Sequence, residues 1–302
     1  MSPPAAGAAR AGSVLDEAFA RMASAGFELP NGFVNHGAMA CEALDALGFG
    51  AEVDEWAKRF ARIAGPGVSP QYEARFEWRE ALGQYRLLPQ WVGHFERAIA
   101  EEGWARVVQV WAPRLMPGMS TALFHGAIRT GHAVRAVAAS ATTARQEELA
   151  LALGYWAARF RPGQGAPAGE EVVDVRHAAV AAAAGAARYY LASPSIYFLH
   201  GVTGAMALEL LLPHIAGPDQ ANALAQLAAE HAGMYSGARA VPADVRVTGA
   251  PRGHLVNAAQ QSGDPHEVKL VEAALRALDL TGDPVFAAAC ETVTGLAADG
   301  AA

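Results

Sequence analysis

The chemistry of this chain concentrates in histidines set within apolar sequence. Four of its ten stand beside small residues in the least polar stretches: Asn35-His36-Gly37, Phe124-His125-Gly126, Gly131-His132-Ala133 and Leu199-His200-Gly201. A buried imidazole must satisfy both ring nitrogens or destabilise the fold. A metal ion on one nitrogen and a carbonyl or carboxylate on the other meets that need. Three of the four are followed directly by glycine, whose missing Cβ lets another helix or a substrate approach. His125 and His132 are seven residues apart in a helical stretch. Their rings therefore leave nearly the same face, offset by about 20° and ~10.5 Å apart along the axis. The pair can reach toward one shared ion. The competing reading for each histidine is an ordinary core imidazole hydrogen-bonded at both nitrogens.

His266 and Lys269 form a further pair, one turn apart just after Asp264-Pro265. An ammonium carries only donors and binds no metal. A buried, deprotonated lysine can instead add carbon dioxide, and the carbamate offers carboxylate oxygens. The ordinary alternative packs the stem and sends the amine to water. His94, His177, His214, His231 and His254 lie in more polar or helix-end surroundings and read as structural or solvent-facing, with His254 a candidate for a pocket mouth. The aromatics read mainly as core packing, with some available to wall a pocket for a flat ligand.

Other chemistries find no support. There is no Gly-x-Ser-x-Gly elbow, no His-Glu-x-x-His and no Glu-x-x-His pair of a di-iron bundle. Gly65-Pro66-Gly67 and Gly163-x-Gly165 lack the strand–glycine–helix setting of a dinucleotide site.

The elements that must position these residues are helices almost throughout. Amphipathic or apolar runs cover Val14–Ala25, Asn35–Leu47, Val53–Ala64, Gln90–Glu102, Trp104–Leu115, Thr121–Ser140, Thr142–Phe160, Val172–Ala192, Ser195–Ile215 and Pro218–Gly237. Asp264-Pro265-His266-Glu267 and Asp283-Pro284 mark two more helix starts. Ser69–Leu88 is mixed, and Val245–Val247 is the one candidate strand. The expectation is an all-α fold: a flexible tail over residues 1–12, then a single compact multi-helix domain over 13–302 with a metal site buried between helices.

Composition agrees. Hydrophobic residues make up 52% and charged residues 18%, enough for a sizeable core. The net charge of −7 and the lack of a basic cluster argue against nucleic acid. Cys41 and Cys290 make neither a disulfide framework nor a thiolate site, and the first residues lack the apolar core of a signal peptide, so a cytoplasmic setting is expected. Arg188 interrupts one of the two most apolar runs, and His200 and Glu209 the other. Both are expected to be buried helices rather than membrane spans.

Taken in order, Asn35-His36-Gly37-x-Met39-x-x-Glu42-Ala43-Leu44, Phe124-His125-Gly126-x-Ile128-Arg129-Thr130-x-His132-Ala133-Val134-Arg135, Leu199-His200-Gly201-Val202-Thr203 and His266-x-x-Lys269 resemble the questin oxidase-like family over about residues 15–295. The resemblance implies a non-haem Fe(II) oxygenase that uses dioxygen to cleave a ring of an aromatic polyketide of the anthraquinone type. It implies ligands at His36, His125, His132, His200 and a carboxylated Lys269, with His254 or His266 as alternatives to His200. Beside them, Arg129 and Arg135 could hold a phenolate or quinone oxygen, or else form salt bridges, and His266 is a candidate catalytic group. Other members are Baeyer–Villiger-type oxygenases drawing on NADPH as external reductant, for which this chain has no dinucleotide motif. Two readings compete: a metal-free helical binding protein for an apolar ligand, and a zinc-dependent hydrolase or cyclase.

Overall fold

The computed structural model describes residues 6–297 apart from positions 171 and 243, with side chains from residue 14 onward. Fourteen α-helices follow one another among these residues: α1 (Ala6–Ala23), α2 (Gly37–Ala46), α3 (Val53–Ile63), α4 (Trp78–Ala81), α5 (Leu88–Glu102), α6 (Trp104–Leu115), α7 (His125–Ala139), α8 (Thr143–Arg159), α9 (Val175–Ala192), α10 (Ile196–Leu211), α11 (Gly217–Met234), α12 (Arg252–Ser262), α13 (Pro265–Thr281) and α14 (Pro284–Val293). The fold is all-α, as expected.

Local sequence sets many of the helix starts. Thr142, Asp174, Ser195, Asp264 and Asp283 each cap a helix by accepting a backbone N–H of its first turn, satisfying donors that would otherwise be orphaned. α10 is buried along nearly its whole length. It therefore occupies the centre, packed against α7, α9 and α13. α2 closes a circuit by packing on both α7 and α13. The four helices α2, α7, α10 and α13 thus surround one small volume, and they hold the site. Ile196–His214 is long and apolar enough by length and composition to cross a membrane, but most of it is buried inside this bundle. Helices approach closely where glycine allows it: a Cβ on Gly126, the neighbour of His125, would lie 2.7 Å from the Trp156 ring on α8.

Besides small shifts at other helix ends and the unexpected α12, three differences from expectation stand out. The first helix begins at Ala6 rather than Ser13, so much of the stretch read as a tail is helical. Its four alanines are the residue type that loses least on entering a helix. Val245–Val247 forms no strand, and the described residues contain none, only the isolated bridges Ala25–Pro66 and Glu28–Val34. Glu291 holds the end of that irregular segment by accepting from Thr248 N, Thr248 Oγ1, Gly249 N and Ala250 N. The third difference bears on the site. α7 starts at His125, four residues later than expected, because Ala122, Leu123 and Phe124 all have positive φ.

Candidate metal centre

Each site residue sits at the start of its helix. His36 is the N-cap of α2 and His125 the first residue of α7. His200 is in the second turn of α10, while His266 and Lys269 are in the first turns of α13. Four helix N-termini converge, bringing together residues up to 233 positions apart in sequence. Nε2 of His36 is 2.6 Å from Nε2 of His125, which is 3.1 Å from Nε2 of His200. The three histidines offer donor atoms within 4.8 Å of one another. The His266 ring lies edge-on to His36 with centroids 4.5 Å apart, and 5.4 Å from His200. Lys269 is fully buried, and its Nζ has no hydrogen-bond partner.

Hydrogen bonds fix the tautomers of two rings. Nδ1 of His125 faces the carbonyl of Ala122, and Nδ1 of His200 faces the carbonyl of Ile196 at 2.6 Å. A carbonyl only accepts, so both Nδ1 atoms carry the proton and both Nε2 atoms present lone pairs. Two lone pairs facing each other at 3.1 Å repel unless a cation lies between them. Protonation does not supply it. Burial first, then the neighbouring Lys269 charge, holds His36 and His200 well below the usual histidine range and His125 down to about 3. The converging helix N-termini act in the same direction. The spacing suits a metal ion: two donors ~2.1 Å from one ion at right angles are ~3.0 Å apart. Burial also brings the Lys269 amine down to about 7, against which Asp264 gives a small opposing pull.

The structure brings together His36, His125, His200 and Lys269 of the expected ligands, and leaves His132 outside. His132 remains two turns along α7, where Nδ1 meets Glu42 Oε2 at 2.6 Å. Seven residues keep the two histidines on one face but nearly two turns apart, and the buried Glu42 carboxylate takes the second one. Glu42 also accepts from Arg135, Arg135 donates to Glu272, and Arg276 joins Glu272 to Glu209. This chain of ion pairs runs through the interior beside the site. The Arg135 guanidinium is engaged on both sides and the Glu42 carboxyl is held down to about 2 despite its burial, chiefly by Arg135. Arg129 is likewise committed, in a two-pronged pair with Glu148 at 2.6 and 2.8 Å, with its guanidinium over Phe27. Neither arginine is free to hold a ligand oxygen. Arg129 is buried and Arg135 half-buried, and both form the salt bridges that were their alternative role.

His266 stands closer to the cluster than its sequence position suggested. Asp264 Oδ1 accepts from its backbone N at 2.8 Å and faces its Nδ1 at 2.9 Å, so the cap of α13 also orients this ring. Its side chain is 15% exposed, whereas His36, His125 and His200 are 5% or less, so the cluster reaches solvent on the His266 side. Asp264 and Glu272 were missed as polar partners. The Asp-Pro-His start was legible as a cap, but nothing in it showed that the same carboxylate would meet the ring. Of the remaining histidines, His254 is exposed on α12 and His94 sits among Phe76, Trp91, Phe95 and Trp111. Nε2 of His231 is 3.2 Å from the Gly201 carbonyl.

No protein-family model matches the chain, and no relative is found among curated proteins.

Proposed function

We propose that this protein is a mononuclear non-haem iron oxygenase acting on an aromatic, phenolic substrate of the anthraquinone type, by oxygen-dependent cleavage of a ring carbon–carbon bond. The observation that carries the reading is the facing pair of Nε2 atoms on His125 and His200, each ring with its Nδ1 turned to a backbone carbonyl, with a fully buried, unpartnered Lys269 amine close enough to act on both rings electrostatically. His36, His125 and His200 would hold the ion. His266 would take the place expected of His132, since its ring is as near to His36 as that of His125 (4.5 against 4.7 Å) and its Nδ1 is paired with a carboxylate. Carboxylate pairing of the second nitrogen is the usual companion of a metal-bound imidazole. Four nitrogen donors and one oxygen suit iron better than a closed four-coordinate zinc site.

Lys269 would supply the oxygen donor. At neutral pH about half of an amine brought down to about 7 is unprotonated, and its lone pair can add to carbon dioxide. The N–C bond forms, one proton leaves, and the product is an anionic carbamate. The convergent helix N-termini favour that anion. When bound, ferrous iron would supply dioxygen activation, with both oxygen atoms passing to the ring and the substrate providing the electrons. The chain's own part is to hold the donors, exclude water from the buried side, and admit the substrate past His266.

The test is elemental analysis of protein purified without chelator, paired with oxygen uptake on anthraquinone-type phenols, with and without NADPH. The expected result is about one iron per chain and uptake that needs no NADPH. Zinc in place of iron would favour the hydrolase. A metal-free protein that binds an apolar ligand unchanged by His125→Ala would overturn the proposal in favour of a binding protein.

A further inference from the structure

Ten stretches of the described chain adopt positive φ. In nine the residue is a glycine, and the tenth is Ala122-Leu123-Phe124, with φ of 50°, 53° and 63°. Three successive side-chain-bearing residues in this region are costly, because each Cβ crowds its carbonyl, and such strain gathers where function requires a particular backbone. Here the strained turn runs directly into His125. We propose that it is the positioning element for His125, holding the Ala122 carbonyl against Nδ1 so that Nε2 faces the histidine cluster. The assignment rests on the metal-site reading for its purpose, but the positioning itself is a property of the metal-free chain.

The geometry gives the turn this role. Had the helix continued upstream, the Ala122 carbonyl would accept the N–H of Gly126 along the helix axis. Instead it meets the Nδ1 of His125 and also accepts His125 N at 3.3 Å. Anchors on either side hold the turn. Upstream, Thr121 Oγ1 donates to the Arg161 carbonyl at 3.0 Å and accepts Arg161 N at 3.1 Å. Downstream, Phe124 is fully buried and its ring presses on α10 at Gly204, where a Cβ would lie 2.7 Å from it. Between the anchors, Ala122 is exposed and Leu123 is half-buried. Their conformation, rather than their packing, is what the site uses.

The test is Leu123→Gly, with Leu123→Ala as the conservative control, studied first without metal. Nitrogen-15 NMR of the His125 ring should show a single Nδ1-protonated tautomer in the wild type and in Leu123→Ala. In Leu123→Gly the signals should move toward tautomer averaging, while Tm holds or rises as the strain is relieved. Co(II) titration should then show at least a tenfold weaker affinity for Leu123→Gly, in the range found when the outer partner of a ligating histidine is lost. An unchanged tautomer signature in Leu123→Gly, or averaging already present in the wild type, would overturn the positioning role. If the signature shifts as expected but the wild type binds no Co(II), the positioning role stands and the metal reading falls.

Discussion

Replacing Lys269 with methionine should make the metal-free protein more stable. The amine is fully buried without a partner, and burial lowers it from the ordinary 10.5 to about 7. At ~1.4 kcal/mol per pH unit, this corresponds to a ceiling of roughly 5 kcal/mol. The sign follows from proton counts. Above pH 10.5 neither folded nor unfolded chain binds the proton, and the lysine imposes no pH-linked cost. As pH falls from 10.5 to 7, the unfolded chain takes a proton that the folded chain refuses, and stability declines. Below pH 7 both are protonated and the cost is constant. Methionine has similar reach and no amine. Urea unfolding in chelator and carbon-dioxide-free buffer should therefore show Lys269→Met ahead of the wild type by about 2–5 kcal/mol at pH 7. The difference should shrink toward zero at pH 10.5. On the proposed function the order should reverse with metal and bicarbonate, because only the wild type would gain a metal-bound carbamate. A variant that is less stable than the wild type at pH 7 without metal, or a difference that does not change with pH, would refute the reasoning.

Three further outcomes are expected. Glu42→Gln leaves Arg135 and His132 facing a neutral group and should cost about 3–5 kcal/mol. Because the Glu42 carboxyl is held at about 2, its contribution is present above pH ~4.5 and lost as pH falls toward 2; the variant's acid unfolding curve should be flatter over that window. Gly126→Ala drives a methyl against Trp156 and should cost about 1–3 kcal/mol, measured as a lower midpoint in urea; an unchanged midpoint would show that the α7–α8 contact has slack. The metal-free protein should lose stability as pH falls below about 6.5, since the unfolded chain protonates histidines that the folded one keeps neutral. Metal loading should abolish that loss, and differential scanning calorimetry from pH 5 to 8 reads it directly.

Helix type and order were legible because apolar periodicity and caps such as Asp264 and Asp283 act locally. The histidine-glycine pairs were legible for the same reason: Gly126 does admit Trp156. What spacing could not reveal was partner choice. His132 looked equivalent to His125, and only the arrival of Glu42 from α2 separates them. Arg129 and Arg135 looked available for a ligand, but carboxylates from α8, α2 and α13 claim them. The left-handed turn before His125 carries no glycine, so sequence rules that read such turns from glycine pass over it.

The proposed donors at positions 36, 125, 200, 266 and 269 come from four helices that are distant in the chain, and no single hairpin contains more than two of them. Ion binding at that site would therefore report on completed folding: a fragment or a half-assembled intermediate would offer at most a weak, partial site. Conversely, once all four helix starts have met, a bound ion would tie the first third of the chain to the last. It would slow global opening far more than fraying of peripheral elements such as α12. Hydrogen exchange in α2 and α13 should then slow together on metal loading, as a single cooperative unit, although 228 residues separate the starts of those two helices.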